Sequence, residues 1–178
     1  MAGSPDRLPS RHDISYAYLA GLFPIQAWAL YNSLREAPAW SLKFSLWDLI
    51  GVFSYIEAFV LLESIVVFLP LLMLAALLPA RWFRSRFVAS CTAIVYVSAG
   101  WIILAHIHDY TVREWSLRQL LPWFVAFLLS QGLILVLICN SRRLESVIVS
   151  VVDRVAVLSI VYLSMTLAGV FIVLIRNA

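Results

Sequence analysis

Residues 53–64 read FSYIEAFVLLES, and the reading of this stretch decides the fold class. It sits inside an apolar run from 46 to 78, longer than the roughly 20 residues a helix needs to cross a 30 Å hydrocarbon core. It also carries Glu57 and Glu63. A membrane-spanning segment admits such acids only with a compensating reason.

The rest of the chain agrees with a membrane setting. It has 178 residues, 63% of them hydrophobic and only 13% charged, with a mean hydropathy of +0.93. A soluble domain carries nearer 25% charge. The remaining apolar runs cover 14–34, 87–108, 117–139 and 147–175, separated by short polar breaks. The expected architecture is therefore an all-α polytopic membrane helix bundle of about five transmembrane helices, or four if the first run does not span. Pro24 and Gln26 make that first run the weakest. With no internal repeat, low-complexity tract or linker, residues 1–178 read as one integral membrane domain after a short polar segment, 1–13.

Boundary signals fit these runs. Ser10-x-x-Asp13, Ser45-x-x-Asp48 and Ser116-x-x-Gln119 match the capping-box pattern at the starts of runs one, two and four. Pro79 is an expected stop for run two, and Pro70 an expected kink within it. Trp40, Phe44 and Trp47 share a helical face, which suggests either a short interfacial helix before run two or a loop anchored by its tryptophans.

Charge sets the expected orientation. The basic residues are arginines except for Lys43, and no basic run resembles a nucleic-acid footprint. With five spans and the N-terminus in the cytoplasm, Arg81, Arg84, Arg86, Arg142 and Arg143 fall on the cytoplasmic side, as the positive-inside rule favours. The arginine-rich, lysine-poor usage points to a GC-rich prokaryotic genome and hence a plasma membrane. The N-terminal segment reads as polar rather than as a cleavable signal.

Glu57 and Glu63 are the intramembrane candidates for function. At 1.5 Å per residue they lie about 12 and about 21 Å along a helix that enters near Leu49. Six residues at 100° each put them about 120° apart around the axis. Glu57 shares a stripe with Ser54 and Ser64, whereas Glu63 shares one with Ile56, Phe59 and Val67. No Lys or Arg lies deep in any span. Partners for these acids must therefore be polar groups such as Tyr96, Ser98, Gln131, Tyr162, Ser164 or Thr166, or a group on another protein. The acids read either as a proton or cation site or as interhelical hydrogen-bonding groups.

His106, His108 and Asp109 form a second polar cluster, at the end of run three. All are metal-ligand types, but His106 and His108 point 200° apart on a helix, and the i, i+4 pair of a helical zinc site is absent. The bland reading, a polar helix end meeting water, is preferred. A contact between His106 and Glu57 is geometrically allowed. Small-residue pairs at Ala17/Gly21, Ser54/Ala58 and Ser164/Ala168 predict close helix packing. Asp153 is expected to pair with Arg81, Arg84 or Arg86. Cys91 and Cys139 read as packing residues.

Phosphate loops, nucleophile elbows and metalloprotease motifs are missing from the sequence. No catalytic residue, metal or cofactor is assigned. The leading expectation is a non-enzymatic accessory or structural subunit that packs through its helices, in contact with the bilayer and with a membrane protein partner or a second copy. The alternatives are a small transporter or channel using Glu57 and Glu63, and a membrane enzyme with a site at His106/His108/Asp109.

Overall fold

The computed structural model describes residues 9–77, 83, 86–108 and 115–178. Arg7, Pro79, Arg81, Trp82, Arg84 and Asp109, all singled out in the sequence, lie outside the described residues. The described elements are five helices: α1 (Arg11–Ser41), α2 (Leu46–Leu77), α3 (Phe87–Ile107), α4 (Leu117–Asn140) and α5 (Arg142–Asn177). Helices α2 to α5 are each long and apolar enough to cross a membrane.

The helix starts follow the capping logic. Ser10 Oγ accepts from Asp13 N at 3.1 Å and Ser45 Oγ from Asp48 N at 3.3 Å. Gln119 Oε1 accepts from Ser116 N at 2.9 Å. Each contact satisfies an amide that the helix itself leaves unpaired. Ser141 caps α5 in the same way, accepting from Leu144 N at 3.2 Å, so α4 and α5 are joined by this single residue. Helix α1 continues through Pro24 and Pro38 as far as Ser41. Trp40 therefore belongs to the last turn of α1 and Trp47 to the first of α2, and no separate interfacial helix stands between them.

Helix α1 has an interior place that its composition disguises. It lies against α2, α3 and α5 together. A helix surrounded by helices can carry polar residues that a lipid-facing one cannot, provided they find partners. Accordingly Gln26 and Ser33 are buried beside Ala17, Ala20, Gly21 and Leu22.

The buried positions of α2 (Gly51, Ser54, Val60, Ser64, Phe68, Leu71 and Ala75) lie three or four residues apart, the spacing of one helical stripe, except for the step from Ser54 to Val60, which Glu57 divides. On α5 the corresponding stripe is Val152, Ala156, Ser159, Thr166 and Gly169. Ser164 and Ala168 lie off that stripe and are exposed, so the small-residue pair expected there is not a packing motif. Ser164 instead donates to its own helix, at Ile160 O.

Packing is uneven along the bundle. At one end Phe68, Phe83, Phe87 and Cys91 form a core with Ala17, Leu71 and Ala75. The lower half of the α3–α4 contact is closed by Ala89 and Ala93 against Ile138. At the other end, near Trp47, α3 turns apolar residues outward, with Ile102 61% and Ile107 69% exposed. Helix α4 is the peripheral member, and Ile138 is its buried residue.

Candidate functional site

Polar contacts tie α1, α2 and α5 at three levels, two of them inside the bundle and the third between α2 and α5 at its exposed Trp47 end. The first joins Tyr18 Oη to Ser64 Oγ at 2.8 Å, near the level where Ser159 Oγ donates to Leu19 O at 2.5 Å. The third closes the Trp47 end. There Arg176 donates to Asp48 Oδ1 at 2.8 Å and to Trp47 O at 2.9 Å, and Asn177 Nδ2 donates to Tyr55 Oη at 2.7 Å.

The middle layer is built on Glu57. Gln26 Nε2 donates to both carboxylate oxygens, at 2.7 and 2.6 Å, and Thr166 Oγ1 donates to Oε2 at 2.9 Å. Gln26 and Thr166 are fully buried. One carboxylate thus draws donors from α1 and α5 to α2, about 16 Å from the Trp47 ends of α2 and α5 at 1.5 Å per residue. The fit is close. A Cβ on Gly169 would come within 2.7 Å of Glu57 Cβ and 3.2 Å of Ser54 O, so glycine lets the α5 backbone reach the carboxylate's own stem.

A cavity of about 330 Å³ reaches this layer from the Trp47 side, lined in part by Ser33, Ser54, Glu57 and Gly169. Gln26 Oε1 is buried and finds no donor among the described residues.

Glu63 has a different environment. It is exposed on the outer face of α2. Around it Phe59, Leu62, Val66 and Met73 are also exposed, by 62, 56, 58 and 62%. It makes no hydrogen bond or ion pair among the described residues. Glu57 and Glu63 therefore do not converge on one site.

Of the partners expected from sequence, Thr166 reaches Glu57, while Gln131 and Ser98 bond to each other at 3.0 Å across α3 and α4. Gln26 was legible only as an interruption of run one. Its role depends on the register between two helices, which no local pattern encodes.

His106 does not meet Glu57. Its ring lies edge-on to Trp28 of α1, with centroids 5.2 Å apart. His108 Nδ1 lies 2.9 Å from Leu104 O, and Asp109 is outside the described residues. Among the described residues no group of three His, Cys, Asp or Glu side chains is placed to hold a metal ion.

The arginines expected on the cytoplasmic side have the following contacts. Arg86 pairs with Glu145 at 3.2 Å and donates to Ile138 O. Asp153 accepts from the Tyr16 hydroxyl of α1, and Arg81 and Arg84, expected as its partners, lie outside the described residues. Arg142 and Arg143 are exposed in the first turn of α5. Cys91 and Cys139 form no disulfide.

Comparison with family models, curated proteins and solved structures gives no match. The class is set by the fold itself: a polytopic helical membrane protein whose interior polar groups are tied together across three helices.

Proposed function

We propose that this chain is a non-enzymatic membrane subunit that works by lateral assembly with another membrane-embedded protein. The observation that carries the reading is the contrast between its two acids. Glu57 is held by donors from within the chain, whereas Glu63, near the middle of α2 and among apolar side chains facing outward, has no partner among the described residues. A carboxyl group at that depth is costly in lipid, by a few kcal/mol on insertion scales. A basic or hydroxyl-bearing group on a neighbouring transmembrane helix would offset that cost. In this reading the Arg86, Arg142 and Arg143 end faces the cytoplasm of a prokaryotic plasma membrane.

Native mass spectrometry on protein extracted gently from its own membrane tests the proposal. A defined heteromeric complex is the expected result. A lone monomer under conditions that keep other membrane complexes intact would sink it.

A second reading, a small proton-coupled or cation-coupled transporter, is favoured by the cavity that reaches Glu57. An ionised Glu57 accepts from Gln26 Nε2. A protonated one can donate to the otherwise unsatisfied Gln26 Oε1 once the amide rotates, so the pair can hold either state. Solute or proton flux in vesicles, abolished by Glu57→Gln, would support this reading. Flux unchanged by that substitution would remove Glu57 from any such pathway.

A further inference from the structure

We infer that the cleft between α3 and α4 at the Trp47 end is a binding site for one anionic phospholipid of the adjoining leaflet. The cleft is an open groove of about 820 Å³, lined almost wholly by apolar side chains, with Trp101, Trp123 and Phe127 as its walls, Ser98 at its floor and Arg118 at its mouth. Such a mainly apolar concavity with a few placed polar groups is the usual form of a small-molecule site.

Its dimensions select the occupant. From Leu117 to Phe127 the wall of α4 is ten residues, or about 15 Å of helix. That is half of a hydrocarbon core about 30 Å thick, the depth of a single leaflet. Below Ser98 the cleft is shut, since Ala89 and Ala93 meet Ile138 directly and Gln131 bonds Ser98 across the gap. A transmembrane helix from a partner spans about 20 residues and would fill this groove over only half of its length. An acyl chain entering from one leaflet fits within it.

The walls are held in place by contacts with one another. Trp101 donates its indole N–H to Ser130 Oγ at 2.9 Å, and its ring meets Trp123 edge-on at 5.0 Å and Phe127 at 6.3 Å. Trp115 meets Trp123 at 5.2 Å on the rim, and tryptophan favours the headgroup level. Arg118 is exposed and makes no ion pair among the described residues. Its planar guanidinium, next to an apolar cleft, suits the phosphate of a headgroup whose tail lies below.

The tryptophans supply the assay. Full-length protein in mild detergent is titrated with phosphatidylglycerol or phosphatidylcholine carrying brominated acyl chains, which quench indole fluorescence on contact. Phosphatidylglycerol is expected to quench with about fivefold higher apparent affinity, the effect of one interfacial arginine on an anionic lipid. Arg118→Gln should bring that preference down to the phosphatidylcholine level. Ala105→Phe, which fills the cleft from the α3 side, should weaken quenching by both lipids. Removing the reporters with Trp101→Phe and Trp123→Phe should abolish most of the selective component, and circular dichroism should show each variant's helicity unchanged. Equal response to the two lipids in the unmodified protein, or a preference that survives Arg118→Gln, would overturn the assignment. So would a stable dimer, seen by native mass spectrometry, that Ala105→Phe dissociates, because the cleft would then belong to a second copy.

Discussion

Gln26 Nε2 lies 2.7 and 2.6 Å from the two carboxylate oxygens of Glu57, so one buried amide on α1 is the principal donor to the most deeply placed acid of the bundle interior. The contact links the helix least apolar in sequence to one of the most apolar. It also accounts for why α1 keeps a glutamine where leucine would insert more easily. In a bilayer, helices gain nothing from burying apolar surface against one another, since lipid is equally apolar. Specific donors and close backbone approach then decide which faces meet.

Gln26→Leu removes that donor and leaves Glu57 with Thr166 alone. The expected cost is about 1–3 kcal/mol, the range for stranding a buried polar group. Glu57→Gln keeps the volume and a hydrogen-bonding capacity, so its expected cost is smaller, about 1 kcal/mol. Denaturant unfolding in a fixed detergent would rank the two. Equal, negligible effects would show that the layer does not hold the helices together.

Gly169→Ala tests the close approach of α5 to α2. The added methyl group would fall 2.7 Å from Glu57 Cβ, and neither atom sits at the free end of a flexible chain. Overpacking of this kind costs about 1–3 kcal/mol. Gly100→Ala is the matched control, because a Cβ there meets nothing within 4 Å. It should leave stability unchanged or raise it slightly, as alanine is the better helix former. Thermal melts of the two variants should separate clearly.

The sequence carried the class and the helix limits because both rest on local properties: apolar length, and the serines that cap α1, α2 and α4. The 120° between Glu57 and Glu63 was equally local, and it said that the two acids face different ways without saying which one faces inward. The partners were not local. Gln26 with Glu57 and Tyr16 with Asp153 are contacts between helices, fixed by rotation and register that a single sequence does not state. His106 shows the same limit. Its level in the membrane allowed a contact with Glu57, but α1 places Trp28 beside it instead.

Orientation has a direct test because Lys43 and Arg143 stand at opposite ends of the bundle. Lys43 lies in the α1–α2 turn, and Arg143 begins the helix whose far end, at Arg176, returns to Asp48. Cysteine substituted at each site can be labelled with a membrane-impermeant reagent, in a Cys139→Ala background. Cys91, with no exposed surface, should stay silent. Lys43→Cys should label in intact cells, and Arg143→Cys only after permeabilisation. The reverse pattern would invert the proposed topology.

Glu63→Leu separates assembly from folding. Glu63 touches no donor among the described residues, so replacing it removes no hydrogen bond seen among them. It also relieves the cost of a carboxyl group among Phe59, Leu62 and Val66. The isolated chain should therefore be as stable as the unmodified protein, or more stable by about 1 kcal/mol or greater on the insertion scale. Co-purification with the partner should fall, since the group that rewards a polar neighbour is gone. Glu63→Gln retains a donor and acceptor and should keep part of the association. If Glu63→Leu instead lowers the stability of the isolated chain, the acid serves the fold, and the outward face of α2 loses its claim as the assembly surface.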